Sequence, residues 1–130
     1  MTNRRDDGLN VFREMLPGTL PEHVPNEKIS FGGGFGHELM EIGIEGIFGR
    51  LWSREGLSRR DRSLVTLGIL MAQGAELEME SHFRIARQNG LTEDELAEVV
   101  YHASGYAGFP AANTAKAAAI RGLGKTGDLV

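Results

Sequence analysis

The chain has no cysteine among its 130 residues. Without a thiol it can form neither a disulfide framework nor a thiolate nucleophile, so thiol–disulfide redox chemistry is excluded. Tryptophan is almost as scarce, with Trp52 alone. No apolar run approaches the roughly 18–20 residues that a membrane-spanning helix needs. The opening MTNRRDDGLNVF also lacks the apolar segment of a signal peptide. A cytoplasmic protein with no membrane partner is therefore expected, in keeping with the missing cysteines. Positive charge is not in excess either: the formal net charge is −4. That balance argues against a nucleic-acid partner.

What is present describes an ordinary folded chain. Hydrophobic residues make up 41% and charged residues 25%, which argues against disorder. The length suits one domain, 1–130, around a modest core. Glycine is abundant at 18 residues, about twice the usual share of roughly 7%. Many lie at Gly32–Gly34, Gly36, Gly43, Gly46 and Gly49, in neither P-loop nor dinucleotide-binding order. Close helix approach, or a lid over a pocket, is the expected reason for them.

Periodicity is helical nearly throughout, and nothing reads as a sheet. Thr2 is placed to cap a first helix running to about Leu16, with Leu9, Phe12 and Leu16 on one face. Pro17, Pro21 and Pro25 then impose an extended connection. From Ser30, apolar and small residues recur at Phe35, Leu39, Ile42, Gly46 and Gly49, which predicts a helix. Trp52 to Leu57 is a short connection. Ser58 with Asp61 opens the next helix, with a predicted buried stripe of Leu64, Leu67, Gly68 and Met71. Gln73-Gly74 breaks it. The helix after the break has Leu77, Ser81, Ile85 and Gln88 as its predicted stripe and ends at Gly90. Thr92 with Glu95 forms a second capping box, starting a helix through Leu96, Val99, Val100 and Ala103. Pro110 suits the first turn of an alanine-rich last helix, and the tail beyond Gly122 is expected to fray. The sum is an all-α fold of about six helices.

Three clusters can carry chemistry: Arg59-Arg60-Asp61-Arg62-Ser63, the pair Glu78 and His82, and the segment Tyr106 to Pro110. Glu78 and His82 are four apart, so they share a helix face. The carboxylate can then hold the imidazole and raise its pKa, which suits His82 to donate a proton. The plain alternative is a surface ion pair of little energetic consequence. Arg62, or Arg60, can clamp a carboxylate in bidentate fashion, although three close arginines also suit a solvated face or an intersubunit salt bridge. Trp52, Tyr106 and Phe109 are either pocket walls or packing residues. His37 is a possible second pocket histidine and His23 is expected in solvent. His102, four after Glu98, suits a surface pair, and Asn113 either bonds a ligand or caps the last helix. With no H-E-x-x-H and no paired Glu-x-x-His repeats, no metal site is expected.

Residues 51–113 carry an ordered set of motifs: Leu51-Trp52-Ser53-Arg54, then Arg60-Asp61-Arg62-Ser63-Leu64-Val65-Thr66. Glu78 to His82, Asn89-Gly90-Leu91-Thr92 and Tyr106 to Asn113 follow. This set resembles the carboxymuconolactone decarboxylase family, with a family-like core at about 51–120. The family has a redox branch resembling alkyl hydroperoxidase D, built on a CxxC pair followed by a histidine. In this chain those cysteine positions are Ala75 and Glu78, the histidine is His82, and the branch's proton-donor glutamate falls near Ser63. The resemblance is therefore to the non-redox branch. It implies an alkyl hydroperoxidase D-like helical bundle that self-associates, as a homotrimer or homohexamer, and that needs no metal or organic cofactor. It also implies decarboxylation of 4-carboxymuconolactone to 3-oxoadipate enol-lactone, in aromatic-acid breakdown. In that reading His82, Glu78 and Arg62 are catalytic, and Arg60, Trp52, Tyr106, Phe109 and His37 contact the small-molecule substrate. Residues 1–50 match only loosely, and the Gly32–Gly36 run departs from the pattern. Two other readings follow: a divergent family enzyme acting on another lactone or β-keto acid in a biosynthetic pathway, or a non-catalytic helical oligomer that serves as a binding module.

Overall fold

The computed structural model describes residues 3–125. They form six α-helices and no strand, so the all-α expectation holds. None of these helices is long and apolar enough to cross a membrane. The chain divides into two compact units, Met1–Leu57 and Ser58–Val130, each with its own buried cluster.

In the first unit, α1 spans Arg4–Met15 and is capped by Asn3, whose side chain accepts from the backbone N–H groups of Arg5 and Asp6. Thr2, expected as the cap, lies outside the described residues. Leu9, Phe12 and Met15 face the core, while Leu16 is only half-buried. After the prolines a short 3-10 turn, Asn26–Lys28, follows. Arg5 ties these pieces together. It donates to Glu41 at 2.9 and 3.0 Å and to the carbonyl of Asn26 at 2.7 Å. The Glu41 carboxyl is held below its ordinary pKa, chiefly by that hydrogen bond. Charge-assisted bonds of this kind, partly exposed, contribute about 1–2 kcal/mol net. Arg5→Ala is therefore expected to lower the unfolding free energy by about that amount, read as a shifted urea midpoint at unchanged slope.

The helix expected from Ser30 begins later. Residues 30–32 are irregular and 33–37 are bends and turns, with Gly36 in the left-handed region at φ 69°, a backbone geometry a regular helix does not contain. α2 then covers Glu38–Gly43 and runs directly into a π-helical stretch, Ile44–Trp52. A π-helix has a wider turn than an α-helix, and of the spaced residues only Gly46 and Gly49 lie in it, Leu39 and Ile42 being in α2 and Phe35 in the turn before it. Phe35, Leu39, Ile42 and Gly46 are exposed, whereas Gly49 is buried, together with Ile44 and Trp52. Phe48 meets Phe12 edge-on, with ring centroids 5.1 Å apart.

Close approach of α1 to the π-helical stretch rests on two glycines. A Cβ on Gly8 would lie 2.0 Å from the Ile44 carbonyl oxygen, and one on Gly49 would lie 2.1 Å from that of Arg4. Gly32, Gly33, Gly34, Gly36, Gly43 and Gly46 meet nothing within 4 Å. The expectation of close helix packing thus holds within the glycine run only for Gly49.

In the second unit, α3 (Arg59–Gln73) is capped by Ser58, which accepts from Asp61 N at 3.0 Å. Gly74 ends it in the left-handed region at φ 69°. Its buried residues are Ser63, Leu67 and Met71; Gly68, expected in the stripe, is exposed. α4 (Glu76–Gln88) buries Met79, Phe83, Ile85 and Ala86. Of the stripe expected there only Ile85 is buried, and Leu77 is 76% exposed. The larger apolar side chains sit at Met79 and Phe83, two positions on from Leu77 and Ser81 and so about 200° round the helix, and their burial sets its rotation. α5 (Glu93–Ser104) has the complete Thr92–Glu95 capping box. α6 (Phe109–Gly122) starts at Gly108 with proline in its first turn. Ala112, Ala115 and Ala118 are buried on α6, and a Cβ on Gly122 would lie 2.3 Å from the Glu80 carbonyl oxygen. Small residues let α4 and α6 pack backbone to backbone.

Candidate active site

The candidate acid–base pair lies on α4. Glu78 is exposed, and His82, one turn on, is half-buried with Nδ1 sealed from solvent. Two forces act on the imidazole in opposite directions. Burial disfavours its charged form, and the negative charge of Glu78 favours it. Burial wins, so His82 lies below its ordinary pKa of 6.5. This corrects the expectation that Glu78 would raise it: the carboxylate pulls in that direction and is outweighed. The resting imidazole at neutral pH is uncharged.

The lowered pKa links His82 to stability. The unfolded chain takes up the proton near pH 6.5, while the folded one resists it until lower pH. Stability contributed by neutral His82 is thus fully present above about 6.5 and is lost as pH falls through the lower folded value. The thermal midpoint should drop on acidification below 6.5, and His82→Gln should flatten that part of the curve.

The arginines at the start of α3 have separate environments. Arg60 is ion-paired with Glu95 of α5 and lies 3.6 Å from Asp61. That pairing fastens α3 to α5. Arg62 is half-buried on α3. Ser63, where the redox branch of the resembled family has a glutamate, is 1% exposed and accepts a hydrogen bond from Asn89 Nδ2 at 3.0 Å. Its hydroxyl joins the first turn of α3 to the end of α4.

The aromatic candidates are dispersed. Tyr106 packs beside His102, their ring centroids 5.3 Å apart. Phe109, the first residue of α6, is 70% exposed and so is no core residue. Trp52, in the first unit, is buried at the end of the π-helical stretch. His37, in the same unit, is exposed and shares a 3.0 Å hydrogen bond between Nδ1 and the Gly34 carbonyl. His23 is exposed, and Asn113 sits inside α6, exposed, so it caps nothing.

Sequence reasoning missed a groove. Between α3 and α5 lies a depression of about 590 Å³, lined by Leu64, Gly68, Met71, Val99, His102 and Tyr106 among others. Glu98 is on its rim, while Glu78, His82 and Arg62 do not line it. The signal lies in the spacing: Glu98, His102 and Tyr106 recur every four residues.

An all-helical unit carrying a histidine–carboxylate pair on one helix and an arginine-rich start on the preceding one fits a small-molecule enzyme. The model of the carboxymuconolactone decarboxylase family matches residues 38–121. The 4-carboxymuconolactone decarboxylase of Acinetobacter baylyi is 40% identical over 112 residues, covering 86% of this chain and 81% of its own length. The nitrosuccinic acid decarboxylase of Metarhizium robertsii is 39% identical over 105 residues, covering 81% of this chain and 71% of its own. The chain belongs to the carboxymuconolactone decarboxylase family. It is an enzyme of the carboxy-lyase type.

Proposed function

We propose that the protein decarboxylates 4-carboxymuconolactone, or a close analogue, to the enol-lactone without a cofactor, in the breakdown of aromatic acids. The observation that supports this most is the 40% identity to the A. baylyi decarboxylase across most of both chains. In 4-carboxymuconolactone the departing carboxylate is vinylogous to the lactone carbonyl. When the carbon–carboxylate bond breaks, its electron pair passes through the ring double bond to that carbonyl. The ring is its own electron sink. The protein has then to hold the retained carboxylate, stabilise the dienolate oxygen and deliver one proton to the carbon beside the carbonyl.

Arg62 is assigned the retained carboxylate, in bidentate form. His82 is assigned the proton. Its lowered pKa does not prevent this, because a bound dianion favours the imidazolium and so draws in the proton that is later delivered. Glu78 contributes the same charge sign from the helix surface and acts as a positioning residue. Phe109 is assigned to a wall that excludes water. Self-association, which would cover exposed apolar side chains such as Phe35, Leu39 and Ile42, belongs to the same reading.

The near-equal identity to a nitrosuccinic acid decarboxylase favours a second substrate. Nitrosuccinate and 4-carboxymuconolactone share a fragment: a carbon bearing the departing carboxylate, an electron-accepting group attached to it, and a CH₂–carboxylate arm. The purified protein should release carbon dioxide from 4-carboxymuconolactone faster than from 2-nitrosuccinate. Reversed preference would move the assignment to the nitro acid, and no release from either would overturn the decarboxylase reading for this chain.

A further inference from the structure

Apart from Tyr106, which the family resemblance places against the substrate, the α3–α5 groove is lined by residues not assigned to decarboxylation, and its chemistry differs from what a dianionic substrate requires. Its walls are apolar: Leu64 and Met71 from α3, Val99 from α5. No arginine or lysine lines it, and its one carboxylate is Glu98. A dicarboxylate entering there would meet like charge and find no guanidinium or ammonium partner. At about 590 Å³ the groove falls within the usual range for small-molecule sites, roughly 300–1,000 Å³.

Gly68 gives an independent indication. It sits inside α3, where glycine weakens a helix relative to alanine. Unlike Gly49 and Gly122, it is not there to let another backbone approach, because a Cβ on it would meet nothing within 4 Å. Its missing side chain opens the groove floor. Opposite, the rings of His102 and Tyr106 lie 5.3 Å apart and tilted by 33°, which forms an aromatic wall. Glu98, one turn before His102, supplies a hydrogen-bond acceptor at the rim.

We propose that this groove binds a flat, uncharged aromatic molecule of one or two rings bearing a hydrogen-bond donor such as a phenolic hydroxyl. The ring lies over Gly68 between the aliphatic wall and the His102–Tyr106 rings, and the hydroxyl donates to Glu98. Ring stacking and apolar burial supply the attraction. Glu98 supplies the discrimination, because it accepts from a hydroxyl and repels a carboxylate placed at the same point.

2-Naphthol and 2-naphthoate, which share a ring system and differ in this group, are the probes. Calorimetric titration of the intact protein should show naphthol binding at least tenfold more tightly than naphthoate. Amide shifts should be confined to Leu64–Ala72 and Glu98–Ala107. Gly68→Leu, which fills the floor without meeting backbone, should weaken naphthol binding at least tenfold while helical content and decarboxylation persist. Glu98→Gln should reduce the naphthol-to-naphthoate ratio. Equal binding of the two probes, or naphthol binding unaffected by Gly68→Leu, would overturn the proposal. So would absence of naphthol binding combined with a change in sedimentation on Gly68→Leu, which would give the groove to a second copy of the chain.

Discussion

Replacing His82 with alanine is expected to lower kcat for decarboxylation by roughly 10²–10⁴, the range typical of a lost general acid, with little change in KM. The separation follows from the assigned role: His82 acts after carbon dioxide has left, whereas Arg62 holds the retained carboxylate in the ground state as well. Arg62→Ala should accordingly raise KM. The pH profile gives a sharper signature. Burial holds the free imidazole below 6.5, and the proposed reactive form is the imidazolium. The value of kcat/KM, which reports the free enzyme, should fall as pH rises through that lowered pKa. The fall in kcat, which reports the substrate complex, should come at higher pH, because the bound dianion favours protonation. Glu78→Gln removes a negative charge that raises the His82 pKa, so it should move the kcat/KM limb to lower pH. If kcat/KM instead rises with pH across this range, His82 works as a base and the proton-delivery role is wrong.

Gly49→Ala, with Gly8→Ala, should be among the most damaging small substitutions in the first unit. The added methyl would sit 2.1 Å from the Arg4 carbonyl oxygen and 3.1 Å from that of Ile44. Both are backbone atoms, so relief requires α1 to move away and disrupts the packing of Phe12 on Phe48. Overpacking of this kind costs about 3 kcal/mol, a large part of the stability of a small domain. Gly46→Ala is the matched control. It lies in the same π-helical stretch with nothing within 4 Å, so it should be neutral or stabilise by about 0.5 kcal/mol. Urea denaturation of the two variants measures the difference, and equal midpoints would show that the glycine contact does not hold α1 in place.

Local chemistry made much of the fold legible. Ser58, the Thr92–Glu95 box, Gly74 and Gly90 punctuate the helices through bonds and backbone angles that neighbouring residues determine. Two features were not legible. The π-helical stretch Ile44–Trp52 has a wider turn than the α-helix that the spacing predicts. The Gly8–Gly49 approach depends on residues some forty positions apart, and no window of sequence contains it. The stripe on α4 failed for a related reason: Leu77 and Met79 are both apolar, and only the packed neighbours decide which of them is inside.

The candidate site divides along the same line. Spacing alone put Glu78 and His82 on one face of α4. It could not weigh burial against the attraction of Glu78, because burial comes from what covers the helix. Nor could it show that Arg60 is held by Glu95, 35 residues away. The lack of cysteine has a positive counterpart in the structure: where a thiol pair is impossible, a carboxylate faces a histidine whose charge state is set by its surroundings.

The central claim is that a dianion binds beside a half-buried, normally neutral His82 and thereby gives it the proton to be delivered. Succinate, which carries both carboxylates of the shared substrate fragment but no electron sink, permits a direct measurement. The His82 imidazole can be titrated by NMR in the free protein and with succinate bound. The predicted midpoint is below 6.5 without ligand and distinctly higher with it. A midpoint that bound succinate leaves unmoved would contradict the account.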